Sequence, residues 1–289
     1  MLGAIMKPKK RCSVLAASLL GILWVKQKNA LFRSLAKVLR HKKGNLMQHV
    51  WICGDSILRG VVWSPEAGRY MTTKEIGYDK VEERFHITLN NRSRFGCTLE
   101  KGADHLFRTL DRGEPCDVAI LEYGGNDADF NWAEISATPD EVHLSRTSPD
   151  DFEALYRKTV RRLREKGILA VLCSVIPVCS GRYLDWVSRD GLSRDNILHW
   201  LGEEDVIFRY QAEYSRRVEK LAREEGLPLI DLRASFMATS SMTDYYCLDG
   251  IHPNEKGQHL IRDTLLQVPE SVFDTSGRGA QAPFTVHSA

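Results

Sequence analysis

Apolar runs that predict β-strands alternate with amphipathic segments that predict α-helices along most of the chain. The runs are short and either continuously apolar or alternating, as the strands of a buried sheet are. They cover residues 48–54, 84–91, 117–123, 168–175 and 228–231. Apolar positions spaced by three or four indicate helices over residues 69–82, 98–112, 149–166, 203–225 and 253–266. The alternation predicts an α/β fold, a three-layer α/β/α sandwich around a five-stranded parallel sheet.

Small and polar residues follow the first three predicted strands. Gly54-Asp55-Ser56-Ile57 follows the first, a lone Gly96 lies after the second, and Gly124-Gly125-Asn126-Asp127 follows the third. A fourth segment near the end of the chain reads Asp249-Gly250-Ile251-His252-Pro253-Asn254. Folds of this class place their chemistry beyond the carboxyl ends of the strands, so we expect a site where these segments meet.

The side chains of these segments fit nucleophilic catalysis by a serine. A hydroxyl becomes a good nucleophile when a neighbouring base accepts its proton, and His252 is the candidate base for Ser56. Asp249 precedes His252 by three positions, so one loop can carry both, with the carboxylate orienting the imidazole. Asp55 and Asp127 are interpreted instead as acceptors for the backbone N–H groups of neighbouring loops. The G-x-S-x-G turn of α/β-hydrolases is absent.

Taken together, the GDS, lone glycine, GGND and DGIHP segments resemble the SGNH (GDSL-type) hydrolases, a family of serine esterases and acylhydrolases. The resemblance covers residues 47–268, with Ile57 where the family has leucine. It implies a flavodoxin-like strand order, 2-1-3-4-5, and neither a cofactor nor a metal. It also implies a catalytic triad of Ser56, Asp249 and His252, and an oxyanion hole formed by the backbone N–H groups of Ser56 and Gly96 and the side-chain amide of Asn126.

The connection 178–203 is the one long irregular insertion between predicted elements. Long loops in compact domains are often functional lids, so this segment could fold as a cap over the site; its aromatic residues could equally hold a loop against the core. Candidates for a substrate pocket come from this segment and from the residues after the GGND turn: Phe130, Trp132, Tyr183, Trp186 and Trp200.

Residues 1–46 form a basic leader with eleven Lys or Arg and no Asp or Glu. Its apolar run, 13–25, is shorter than the ~20 residues that span a membrane, and a basic amphipathic pattern follows over 31–40. Two interpretations stay open. The leader contacts a membrane, or Met47 is the true start and the leader is translated upstream DNA. Mass spectrometry of the native protein distinguishes them.

The bulk composition is that of a globular protein. The 289 residues are 43% hydrophobic and 27% charged, and the net charge of +2 comes from the leader, because the remainder has 29 basic and 38 acidic residues, or −9. An acidic body argues against a nucleic-acid partner. Seven cysteines without CxxC spacing favour a reducing, cytoplasmic location, with membrane association through the leader as the alternative. Residues 269–289 are predicted to be a flexible tail.

The predicted function is hydrolysis of a carboxylic ester, with a short acyl group such as an O-acetyl group on a carbohydrate as the first candidate. An acyltransferase, a lysophospholipase or a thioesterase would use the same site. Two other classes compete: a non-catalytic binding module on the same fold and a metal-dependent phosphoesterase. The latter has a GD-x-x-x-RG block like Gly54 to Gly60, but its upstream D-x-H pair is missing, and Asn126 is followed by Asp127 rather than His.

Overall fold

The centre of the fold is a parallel sheet whose strands come from across the chain. The structure is a computed structural model that describes residues 48–73, 76–273 and 285–286. The strands, in chain order, are β1 Gln48–Gly54, β2 Val61–Ser64, β3 Arg69–Thr72, β4 Ile87–Asn91, β5 Val118–Glu122, β6 Leu169–Cys173, β7 Leu229–Ile230 and β8 Thr285–Val286. The leader 1–46 and most of the tail 269–289 lie outside the described residues, so the predictions about them stay predictions.

The sheet order is β4-β1-β5-β6-β7-β8, and every neighbouring pair is parallel. The first five of these are the predicted strands in the order 2-1-3-4-5, so both the five-stranded parallel sheet and its order are confirmed. The two-residue strand β8 extends the sheet beside β7. In the register of the central pair, Gly54 of β1 lies opposite Glu122 of β5, so the ends of these strands share one edge.

Helices cover both faces of the sheet. They are α1 Ser56–Arg59, α2 Tyr78–Phe85, α3 Leu99–Leu110, α4 Trp132–Ala137, α5 Pro149–Glu165, α6 Ser180–Val187, α7 Arg194–Leu201, α8 Val206–Glu225, α9 Leu232–Met237 and α10 Glu255–Leu266. Apolar side chains of α3, α5 and α8 form one core with the sheet. Those of α2, α9 and α10 form a second core on the opposite face. The three-layer α/β/α sandwich is therefore confirmed.

The segment 178–203 is helical rather than irregular. It contains α6 and α7, and their apolar faces join α4 in a third buried cluster that includes Phe130, Trp132 and Tyr183. Ser193 begins α7 as an N-cap, because its side chain accepts a hydrogen bond from the backbone N–H of Asn196 at 3.2 Å. The prediction of an irregular insertion was wrong because each helix is only eight residues long, too short for a clear periodic pattern.

The predicted helix over 69–82 was also wrong in its first half. Residues 61–72 form the antiparallel hairpin β2–β3, and α2 begins only at Tyr78. The turn between β2 and β3 contains Gly68, whose φ of +61° is the left-handed conformation that glycine adopts most easily. Helix α2 then continues to Phe85, so the strand predicted from residue 84 starts at Ile87. Among the described helices, none has the length and apolar character needed to cross a membrane.

Candidate active site

Ser56 is presented by a sharp turn from the central strand into a short helix. Strand β1 ends at Gly54, and Asp55 caps α1 by accepting a hydrogen bond from the backbone N–H of Ile57 at 2.8 Å. Ser56 is thus the first residue of α1, at the carboxyl edge of the sheet. At the N-cap position, which Asp55 occupies, acceptor side chains such as aspartate are favoured because they satisfy the free N–H groups of the first helical turn.

The hydroxyl of Ser56 is in line with an imidazole and a carboxylate. His252 Nε2 lies 2.9 Å from Ser56 Oγ, and His252 Nδ1 lies 2.5 Å from Asp249 Oδ2. Asp249 Oδ1 also accepts hydrogen bonds from the backbone N–H groups of Ile251 and His252, each at 3.0 Å. Burial would raise the pKa of Asp249, but the hydrogen bond and charge of His252 outweigh it and hold that pKa below its usual value. The loop therefore presents an ionised acceptor to the imidazole.

The predicted oxyanion residues lie around the same hydroxyl. Gly96 and Asn126 line one cavity together with Ser56 and His252. Gly96 has a φ of +63°, and a Cβ added there would meet no atom within 4 Å, so the backbone conformation rather than crowding favours glycine. Asn126 Nδ2 donates a hydrogen bond to Asp55 Oδ2 at 2.7 Å, which holds the amide beside the serine.

The cavity has a volume of about 600 Å³ and extends from Ser56 between the sheet and helices α4, α6 and α8. Beyond the catalytic end its walls are mostly apolar: Ala128, Phe130, Trp132, Val178, Tyr183, Trp186 and Ile207. Four of the five predicted pocket residues therefore line it. Trp200 does not; its ring packs edge-on against Phe130 at 5.0 Å between centroids. Trp200 thus supports the wall from behind.

Two aromatic side chains that contact His252 were missed from the sequence. The ring of Tyr70, on β3, lies 4.7 Å from the imidazole, and that of Phe95 stacks on it at 5.7 Å with 14° between the planes. Phe95 is 62% exposed. The hydroxyl of Tyr70 is buried near Asp249. Burial, together with the neighbouring charge of Asp249, raises the pKa of Tyr70. Neither contact was indicated by the sequence, because residues 69–82 were predicted to be a helix and Phe95 stands in the loop of the lone Gly96.

Two buried acids hold the loops at this edge, as predicted. Asp55 caps α1 and accepts from Asn126. Asp127 accepts from the backbone N–H of Leu99 at 3.1 and 3.2 Å and from the hydroxyl of Thr147 at 2.9 Å. Burial raises the pKa of Asp127 to about 6 against the lowering effect of these donors. A third buried acid, Glu122, was not predicted.

No grouping of three or more His, Cys, Asp or Glu side chains suited to holding a metal occurs in residues 48–73, 76–273 and 285–286. Asp55 and Asp127 are instead occupied by backbone and side-chain donors.

The model of the GDSL-like lipase/acylhydrolase family matches residues 52–260. That range contains all four sequence segments and covers well over half of the chain, so the chain belongs to this family. It is therefore a carboxylic ester hydrolase of the SGNH/GDSL type.

Solved structures show the same fold at low sequence identity. A lipase/acylhydrolase from Enterococcus faecalis is 17% identical, with a TM-score of 0.54 over 78% of this chain and 96% of that one. A variant of an acetyl-xylooligosaccharide esterase from Geobacillus stearmophilus is 16% identical, with a TM-score of 0.53 over 77% of this chain and 95% of that one. No curated protein matches the sequence.

Proposed function

We propose that this protein hydrolyses carboxylic esters through an acyl-enzyme on Ser56. His252 accepts the proton as Ser56 Oγ attacks the ester carbonyl, and Asp249 stabilises the resulting imidazolium. His252 then gives that proton to the departing alcohol oxygen. A water molecule then attacks the acyl carbon while His252 accepts its proton. The bond between that carbon and Ser56 Oγ breaks as His252 returns the proton to Oγ, and the carboxylic acid leaves. The observation that carries this proposal is the unbroken hydrogen-bonded line Ser56–His252–Asp249 at the end of an open cavity.

The tetrahedral intermediate carries negative charge on the former carbonyl oxygen, and the proposal assigns its donors. They are the backbone N–H groups of Ser56 and Gly96 and the free N–H of the Asn126 amide. All three residues line the cavity beside the hydroxyl. Donors that are already in place stabilise developing charge without reorganising, which is usually the largest contribution to acyl transfer.

The cavity favours an acyl group longer than the acetyl group expected from the sequence. Its volume of about 600 Å³ lies within the range of ~300–1,000 Å³ that accommodates drug-sized ligands, and its walls are mainly aliphatic and aromatic. An acyl chain of medium length would bury its methylene groups there, each contributing about 0.8 kcal/mol. The proposed substrate is therefore an ester of a medium-length acyl chain with a small alcohol.

An O-acetylated carbohydrate is the second candidate, and a specific observation supports it. Trp186 lines the cavity near the charged side chains of Arg189 and Asp190, and the guanidinium of Arg189 lies over the Trp186 ring at 2.9 Å from the centroid. Because the guanidinium covers that face of the ring, the feature that favours a sugar is the pair of charged side chains, which can hydrogen-bond its hydroxyls. In this arrangement the cavity would hold the alcohol rather than the acyl chain.

A series of p-nitrophenyl esters from acetyl to dodecanoyl tests both points. We expect kcat/KM to rise from acetyl to an optimum at medium length, and Ser56→Ala to lower it for every ester by a factor on the order of 10⁴ or more. Ser235→Ala, at a buried serine on α9, is the matched control and should retain activity. An optimum at acetyl would favour the carbohydrate ester, and undiminished hydrolysis by Ser56→Ala would refute the mechanism.

We also propose a substrate partner and a cellular location for this protein. The acidic body supports a small-molecule or carbohydrate ester as partner rather than a nucleic acid. All six cysteines within the described residues are free thiols, which supports a cytoplasmic location. Membrane contact is proposed only for a native protein that retains the leader 1–46.

The same acyl-enzyme could serve an acyltransferase, and added alcohols that divert the acyl group from water would reveal that activity.

A further inference from the structure

Glu122 is a buried acid beneath the oxyanion residues to which the proposed mechanism assigns no role. It ends β5, where the register places it opposite Gly54. Its side chain is 1% exposed and reaches the floor of the cavity. A Cβ added at Gly54 would lie 2.8 Å from the backbone oxygen of Glu122 and 3.2 Å from its Oε2. The glycine that precedes Asp55 therefore leaves the room that this carboxyl group occupies.

The side chains of Glu122 and Asp55 are close enough to interact through a hydrogen bond between their carboxyl groups, and Glu122 has no donor of its own. Neither carboxyl oxygen has a hydrogen-bond donor among the described residues; the backbone N–H of Asp55 is near but does not meet hydrogen-bond geometry. The other groups that face it carry negative charge or none: Asp127, Tyr78, Tyr156 and Cys173. A buried carboxylate without a donor is costly, whereas a protonated carboxyl would have an acceptor in Asp55.

The surroundings of the two acids place one proton on the pair and assign it to Glu122. Burial and the neighbouring charge of Asp55 raise the pKa of Glu122 well above its usual value. Burial also raises the pKa of Asp55, but the N–H of Ile57, the charge of His252 and the amide of Asn126 oppose that rise. Two adjacent carboxyl groups cannot both ionise in such a site. Asp55 is therefore the anion and Glu122 the neutral acid.

An ionised Asp55 matters because it decides which way the Asn126 amide points. The oxygen and nitrogen ends of an asparagine amide have nearly the same shape, and their hydrogen-bond partners determine the orientation. A carboxylate only accepts hydrogen bonds, so it selects the NH₂ end, which donates to Asp55 Oδ2 at 2.7 Å. A protonated Asp55 could donate to Asn126 Oδ1 instead, which would allow the amide to turn its oxygen towards the site.

We propose that Glu122 is a positioning residue: it stays a neutral acid and donates a hydrogen bond to Asp55, which keeps Asp55 an acceptor and so holds Asn126 with an N–H directed at the oxyanion. This inference rests on the proposed function, because it presumes that Asn126 stabilises the oxyanion. It predicts an asymmetry between the two acids. A neutral donor of the same shape is tolerated at position 122 and not at position 55.

Three variants test the asymmetry with the best p-nitrophenyl ester as substrate. Glu122→Gln keeps the size and a donor, so its kcat should stay within about threefold of wild type. Glu122→Leu removes the donor, and Asp55→Asn places an amide that can donate to Asn126 Oδ1. Each should lower kcat by about tenfold or more with little change in KM, since oxyanion contacts act in the transition state. Circular dichroism melting curves identify any variant that fails to fold, and if Glu122→Leu does so, the Glu122→Gln and Asp55→Asn pair decides.

A second measurement does not depend on activity. The infrared difference spectrum between wild type and Glu122→Gln at pH 7 should contain the carbonyl band of a protonated carboxylic acid. Carboxylate bands in its place, or a Glu122→Gln variant as slow as Asp55→Asn, would overturn the proposal. If wild type hydrolyses no ester, or Ser56→Ala remains active, the proposed function fails instead, and the infrared spectrum still reports whether Glu122 is neutral.

Discussion

The amide of Asn126 has two N–H bonds, and Asp55 accepts a hydrogen bond from Asn126 Nδ2 at 2.7 Å. Within the described part of the chain no group accepts from the other, so we expect it to face the carbonyl oxygen of a substrate bound at Ser56. Asn126 thus combines a fixed orientation with one unused donor, which is the requirement for stabilising an oxyanion without reorganisation.

Asn126→Ala should lower kcat by about 10²–10³ and leave KM nearly unchanged, because the lost hydrogen bond forms only with the tetrahedral intermediate. Steady-state kinetics on the best p-nitrophenyl ester provide the measurement. Asn131→Ala, at an exposed position whose side chain caps no helix, is the matched control. A loss at Asn126 that appeared mainly in KM would indicate substrate binding rather than transition-state stabilisation.

What the sequence reveals about single residues depends on whether their role lies in a recognisable segment. Ser56, Asn126, Asp249 and His252 stand in turns with a distinct order of residue types. The structure brings Ser56, Asn126 and His252 to one cavity and places Asp249 behind the imidazole. Glu122 lies within an apolar run that predicts a strand and no other role. Only the pairing of its strand with Gly54, a long-range feature, shows that its carboxyl reaches Asp55.

Among the elements, the hairpin β2–β3 contributes directly to the site. It places the ring of Tyr70 against the imidazole of His252, and Tyr70 in turn packs edge-on against Trp63 and Trp186. Four strands of the sheet (β1, β5, β6 and β7) were predictable as short apolar runs, and β4 was predictable from its alternation. The hairpin was not, because its strands are only four residues long and β3 is mostly exposed. Tertiary contacts, rather than local propensity, decide such short segments.

Tyr70→Ala should lower kcat/KM by about tenfold, because an imidazole that loses its packing partner adopts the productive orientation less often. Arg69→Ala, at the neighbouring exposed position of the same strand, should have little effect. Ester hydrolysis kinetics with both variants make the comparison, and urea denaturation checks that each is folded. Equal activity of Tyr70→Ala and wild type would show that the hairpin covers the histidine without positioning it.

Asp127 connects two other elements, because it accepts from the first N–H of α3 and from Thr147 just before α5. Its pKa of about 6 in the folded protein exceeds the value of ~3.9 for an unfolded chain. The folded state therefore binds a proton on the Asp127 carboxyl more tightly than the unfolded state does. The contribution of this protonation to stability is full below about pH 4 and is lost as pH rises through 6.

Asp127→Asn removes this titration while keeping an acceptor for Leu99 and Thr147. The free energy of unfolding of the variant, relative to wild type, should therefore rise by about 1 kcal/mol between pH 5 and pH 8. Urea denaturation of both proteins at the two pH values gives the double difference, in which the other titrating groups cancel. A difference that is constant, or that falls with pH, would contradict the burial argument.

For the molecule as a whole, the parallel sheet explains how residues almost two hundred positions apart come to act together. Strands β1, β4 and β5 end at one edge, where they deliver Ser56, Gly96 and Asn126, and the loop before α10 delivers Asp249 and His252. The strand order came from the family resemblance, because apolar runs alone do not specify which strands are neighbours. We expect the cavity between the sheet and α4, α6 and α8 to determine which esters fit.

The central claim is that the hydroxyl of residue 56 is the nucleophile. Labelling with a fluorophosphonate probe, followed by peptide mass spectrometry, tests it most directly. The account predicts one adduct, on the peptide that contains Ser56, which disappears in Ser56→Ala and is strongly reduced in His252→Ala. A catalytically active protein that carries no adduct at Ser56, or one labelled at another serine, would contradict it.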